Sequence, residues 1–246
     1  SCIEGLEMDT ELCFAPATEI RDLIRAKKIS IPELTELFCR RIEELNPKLN
    51  AYLALCLDQA VDDSKAAQAA VQKEETLGAL HRIPISIKDL QMTKGVRTTG
   101  GSLAYKDRIP DADCAVVERV LAAGAMMLGK TNSPEFGLLG ANENRLGEPC
   151  RNPWNPERTS GGSSGGAGAS IIAGLTSLAT GGDGGGSIRI PASFNGTYGI
   201  KPTQGRVSSY SGVDAPPASN YTSQQGPLTR TVRDSALLLQ VVAGYD

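Results

Sequence analysis

Histidine is almost absent from this sequence: 246 residues contain one, His81. A Ser-His-Asp triad of the α/β-hydrolase order needs a histidine downstream of its serine, and a zinc site built on imidazole needs several. Six cysteines stand far apart at Cys2, Cys13, Cys39, Cys56, Cys114 and Cys150, with no CxxC pair. That spacing suggests neither a metal cluster nor a disulfide framework, and they read as small residues in or near a core. A strong excess of either charge is also missing. The net charge is -3 and the lysines and arginines are scattered, so there is no basic field to hold a nucleic-acid backbone. Apolar runs are cut by Gly, Ser or Thr well short of a membrane span, and no basic, then apolar, leader opens the chain. The expectation is a cytoplasmic protein that binds neither nucleic acid nor membrane.

What is present is periodic. Ile20, Leu23 and Ile24, then Leu34, Leu37, Phe38, Ile42 and Leu45, recur at helical spacing, the second set opened by Ser30 and Pro32 and closed at Asn46-Pro47. A third helix is expected over Leu57 to Gln72. Beyond it, short apolar runs alternate with helical stretches: IPISI (83 to 87), a helix from Ala112 to Ala123, AMML (125 to 128), a helix after Gly166 and LTSLA (175 to 179). Such alternation argues an α/β fold with helices flanking a sheet. Asn142 to Gly162 and Ser208 to Pro227 read as loops, and a final amphipathic helix stops at Gly244. The whole reads as one region, 1 to 246, with residues 1 to 12 a tag or an irregular start.

Three motifs compete for the chemistry. Gly124 to Thr131, GAMMLGKT, fits the phosphate-loop pattern GxxxxGK[ST]. Its context is wrong, because a helix precedes it and the intervening residues are apolar and strand-like. GGSSG, 161 to 165, fits the nucleophile elbow GxSxG, with Ser163 or Ser164 as nucleophile, but His81 lies upstream and reads as a surface or strand-end residue. The third is GGDGGGS, 181 to 187. Gly184, Gly185 and Gly186 leave backbone N–H groups unshielded just before the Ser187 hydroxyl, the layout an oxyanion hole requires. A serine nucleophile without histidine needs another base. Lys88 follows IPISI, and burial at a strand end would keep its amine neutral.

PISIKDL (84 to 90), GKTNSPEF, NPWNPERTSGGSSGG, GGDGGGSIRIPASFNGTYGIKPTQGRVS and QGPLTRTVRD occur in the order of the amidase signature family, which the chain resembles from about Cys13 onward. The resemblance implies a mixed sheet flanked by helices, an acyl-enzyme route to amide hydrolysis and a Ser-Ser-Lys triad of Ser187, Ser163 and Lys88. It places a cis peptide bond before Ser163 and makes Ser163 the proton relay. It assigns the oxyanion to the N–H groups of Gly184, Gly185, Gly186 and Ser187, and bracing roles to Ser164, Asp183 and Arg189. No cofactor or metal is implied. Activity should rise towards alkaline pH as Lys88 loses its proton.

Two departures stand out. Gly182 and Gly184 occupy positions where the family commonly has threonine, and family members are about twice as long. The chain therefore reads as the N-terminal catalytic half of that fold, with apolar surface to be covered by a second copy or by a chain supplying the other half. The substrate class is a small-molecule amide, with esters, anilides or carbamates sharing the chemistry. Alternatives are the glutaminase subunit of a tRNA-dependent amidotransferase and a catalytically inactive module.

Overall fold

The computed structural model describes residues 10–73, 75–212 and 222–244. Expectations for residues 1–9, including Cys2, and for 213–221 lie outside the described residues. Residues 10–14 form a helical turn, followed by α1 (Ala17–Arg25) and α2 (Ile31–Leu49). Ser30 caps α2: its hydroxyl accepts from the Glu33 N–H at 3.3 Å and donates to the Glu33 carboxylate at 2.6 Å. Leu34, Leu37, Phe38 and Ile42 are buried along one stripe.

The expected stop at Asn46-Pro47 is corrected. Pro47 lies inside the last turn, and α2 ends one turn later, where Asn50 turns left-handed (φ 53°) and donates its N–H to the Asn46 carbonyl at 2.7 Å. α3 (Leu57–Gln72) follows the short strand β1 (Tyr52–Leu55) and has the expected bounds.

β2 (Pro84–Lys88) is buried at every residue, as a strand covered on both faces must be. α4 (Ala115–Ala122) starts three residues later than expected. β3 (Met126–Thr131) carries AMML on through Gly129, Lys130 and Thr131, so the phosphate-loop lysine sits within a strand. Asn142 to Gly162 is not loop throughout, because a hairpin of β4 (Arg151–Asn152) and β5 (Asn155–Thr159) forms within it.

α5 (Gly165–Ile172) leads to β6 (Leu178–Asp183). The strand begins three residues beyond the start of the expected LTSLA and includes Gly181 and Gly182, which pair with Gly226 and Gln225. α6 (Arg189–Asn195), β7 (Tyr198–Gly199), β8 (Gln224–Thr229) and α7 (Val232–Val242) complete the order. β8 takes the end of the expected loop from 208 to 227.

Among the described residues the main sheet runs β1-β3-β2-β6-β8-β7. β2 is parallel to both β3 and β6, while β1, β8 and β7 pair antiparallel, so the sheet is mixed. Helices flank it: α5 lies against β2, β3, β6 and β8, and α7 against β8 and α4. The buried cluster runs from Cys13 to Val242 and includes Phe38, Ile85, Ile87, Val117 and Leu178.

Arg230 ties the ends together, donating to the carbonyls of Phe14, Ala15, Ile171 and Thr176, while buried Asp234 accepts from Thr18. Among the described residues no helix is long and apolar enough to cross a membrane.

Candidate active site

Parallel strands end at one edge of a sheet, and groups at their C-terminal ends converge there. Lys88 closes β2 and Asp183 closes β6. Between them lies the start of α5, whose residues 165–171 are all buried. Glycine permits that approach: a Cβ on Gly166 would come 2.4 Å from the Asn132 nitrogen and 2.5 Å from the Ala51 carbonyl oxygen. The close fit holds Ser163 and Ser164 against Lys88.

Lys88 is 1% exposed, and its Nζ lies 2.7 Å from the Ser163 hydroxyl and 2.9 Å from the Ser164 hydroxyl. Burial lowers its pKa to about 7, against the opposing pull of Asp183. The peptide bond between Gly162 and Ser163 is cis. Ser164 holds the end of β6 and the turn after it, its N–H donating to the Ser187 carbonyl at 3.1 Å and its hydroxyl accepting from the Gly182 N–H at 3.3 Å.

Asp183 has no exposed surface and anchors the glycine run. Its carboxylate accepts from Arg189 Nε at 2.8 Å and Nη2 at 2.9 Å, and from the N–H groups of Gly186, Ile188 and Arg189. Burial alone would raise its pKa, but Arg189 and these N–H groups outweigh it and hold the carboxyl at about 2.

A cavity of about 590 Å³ opens over these groups and is lined by Lys88, Ser163, Gly184, Gly185 and Ser187, with Leu138 and Ile190 on an apolar side. Gly186 departs from the expected arrangement. Its N–H donates to Asp183 at 2.7 Å instead of facing the cavity, whereas the N–H groups of Gly184, Gly185 and Ser187 have no acceptor among the described residues. Ser187 and Ser163 share the cavity but are not hydrogen-bonded to one another there.

His81 sits before the other end of β2, its Nε2 3.3 Å from the Ala67 carbonyl oxygen. A larger groove of about 910 Å³, lined in part by Asp63, Arg82 and Arg97, contains none of the expected site residues.

Sequence reasoning missed the support beneath the site. The Lys88 N–H donates to the Thr180 hydroxyl at 3.2 Å, and that hydroxyl donates to the Gln91 side-chain oxygen. Buried Lys130 donates to the Gln91 carbonyl and, at 2.6 Å, to the Thr93 hydroxyl. The one available signal was a lysine in the otherwise apolar run of β3.

A family model described as Amidase matches residues 33–246. The chain is 47% identical over 236 residues to the glutamyl-tRNA(Gln) amidotransferase A subunit of Anaeromyxobacter dehalogenans (strain 2CP-C), covering 96% of this chain and 47% of that one. The protein of the same name from Moorella thermoacetica is likewise 47% identical, with 96% and 48% covered. Among solved structures, a bacterial aryl acylamidase of the amidase signature family superposes with a TM-score of 0.88 at 37% identity, covering 95% of this chain and 48% of that one. Fatty acid amide hydrolase gives 0.88 at 28% identity, covering 94% and 41%. The chain thus spans about half the length of the relatives it matches. With the motifs in order, the mixed sheet and these matches agreeing, the chain belongs to the amidase signature family.

Proposed function

We propose that the chain carries the acyl-transfer machinery of an amide hydrolase, with Ser187 as nucleophile, Ser163 as proton relay and Lys88 as base. The observation that carries this reading is the buried Lys88 amine, its pKa lowered to about 7, in contact with Ser163 on a cavity that also holds Ser187. Neutral Lys88 donates to Ser164 and turns its lone pair to the Ser163 proton. As the Ser187 oxygen attacks the carbonyl carbon, its proton passes to Ser163 and the Ser163 proton passes to Lys88. The carbonyl π electrons move onto oxygen, where the N–H groups of Gly184, Gly185 and Ser187 receive the charge. Ser163 then protonates the departing amine and regains a proton from Lys88, and water releases the acyl group by the same route reversed.

Asp183 and Arg189 hold the glycine run in shape for this, and Ser164 fixes its distance from Lys88. The substrate class is a small-molecule amide, and esters, anilides or carbamates fit the same acyl chemistry.

A second reading, the glutaminase step of a tRNA-dependent amidotransferase, is favoured by the 47% identity to proteins named as the A subunit of glutamyl-tRNA(Gln) amidotransferase. It uses the same residues with ammonia as leaving group. Assaying the chain by itself on p-nitroanilides and on glutamine separates the two. Anilide hydrolysis, lost in Ser187→Ala, supports the stand-alone reading; glutamine turnover only with a partner protein supports the second. A folded chain inert in both assays is a non-catalytic module.

A further inference from the structure

The cavity has a polar corner that the acyl chemistry leaves unused. Gln91, 5% exposed, and Gln225 both line it. Gln91 is held by five hydrogen bonds. Its N–H donates to the Lys88 carbonyl at 2.9 Å, its carbonyl accepts from Lys130 and, at 3.1 Å, from the Thr93 hydroxyl, its Oε1 accepts from the Thr180 hydroxyl, and its Nε2 donates to Gln225 Oε1.

The chain of bonds runs one way in the structure. The Thr180 hydroxyl accepts the Lys88 N–H and donates its own proton to the Gln91 amide oxygen. Gln91 therefore turns Nε2 to Gln225, which can meet it only with Oε1. What remains is Gln225 Nε2, with two N–H donors and no acceptor among the described residues.

We infer that Gln225 is a specificity-determining residue, donating through Nε2 to a neutral carbonyl oxygen that the substrate carries in addition to the scissile one. The inference rests on the amide-hydrolase reading of the cavity. A neutral oxygen is favoured over a carboxylate because the lining holds one basic side chain, Lys88, whose role requires it uncharged. A purely hydrocarbon substituent would strip water from the Gln225 donors and leave them unpaired, which costs affinity.

The test is a series of p-nitroanilides bearing a ketone or carboxamide oxygen at successive positions, each matched with its hydrocarbon isostere. At least one carbonyl-bearing member should exceed its isostere by about tenfold in kcat/KM. Gln225→Glu keeps an acceptor for Gln91 but offers no donor, and Gln225→Leu removes both. In each the ratio should fall towards one, with thermal melts confirming that the variants fold. Absence of any such preference in the unsubstituted protein, or a preference that survives both substitutions, overturns the inference. Ligand-observed NMR titration with the same pairs reads the preference as binding. Loss of turnover alone therefore counts against the hydrolase reading, while lack of a binding preference counts against this one.

Discussion

A lysine at the end of a buried strand is costly to keep, and Lys88 shows in which direction the cost falls. An unfolded chain holds the lysine proton up to a pH near 10.5, whereas the buried amine releases it near 7. Between those values the unfolded state binds more protons, so burial of Lys88 destabilises the fold most at pH 7 and below, and the penalty fades as pH approaches 10.5. Lys88→Met keeps the volume and removes the amine. It should raise the melting temperature at pH 7 by at least about 3 °C, with the gain shrinking towards pH 10, while hydrolysis is lost. A lower melting temperature in the variant at pH 7 contradicts this.

Single residues also show where sequence reading stops. Lys88, Ser163 and Ser187 were singled out because each sits at a motif position, and the fold brings all three onto one cavity. Gly186 was misread, since spacing shows that an N–H is unshielded but not which way it points, and Asp183 captures it. Gln91 and Gln225 were invisible as a pair because 134 residues separate them, and the fold alone brings their amides together.

Among the elements, legibility followed length and signal strength. α2 has a long apolar period opened by Ser30 and Pro32, and the Leu57–Gln72 stretch of α3 holds no Gly or Pro, so both were readable to within a few residues. β4 and β5 were missed because a short hairpin of polar residues carries no alternation. β6 was displaced because Gly181 and Gly182 resemble loop residues; pairing with β8 on one side makes them strand. α5 is the sharpest case, with Gly165, Gly166 and Gly168 giving it poor intrinsic propensity. Its seat among Asn132, Ala51 and Asn195 has no room for a Cβ at Gly166 or Gly168, so packing overrides propensity, and the same tight seat delivers Ser163 and Ser164 to Lys88.

For the molecule as a whole, the site lies beside an apolar margin. Leu138 is 79% and Trp154 71% exposed, and Phe136, Leu139 and Phe194 are about half exposed, a concentration uncommon on a free surface. This margin is expected to be covered by a second copy or by a chain filling the role of the other half of the longer relatives. Sedimentation velocity at micromolar concentration should show a dimer, or a complex once such a chain is added. A monomer that stays monomeric in the presence of that chain, with Leu138→Glu unaltered in its behaviour, contradicts it.

Activation of Ser187 by Lys88 through Ser163 stands or falls with the pH dependence of fluorophosphonate labelling, the modified residue being located by mass spectrometry. The expected adduct is on Ser187, its rate of formation rising once with pH at a midpoint near 7 and falling by about a hundredfold or more in Lys88→Met. An adduct on Ser163 or Ser164, or a Ser187 rate indifferent to pH and to the loss of Lys88, is incompatible with that relay.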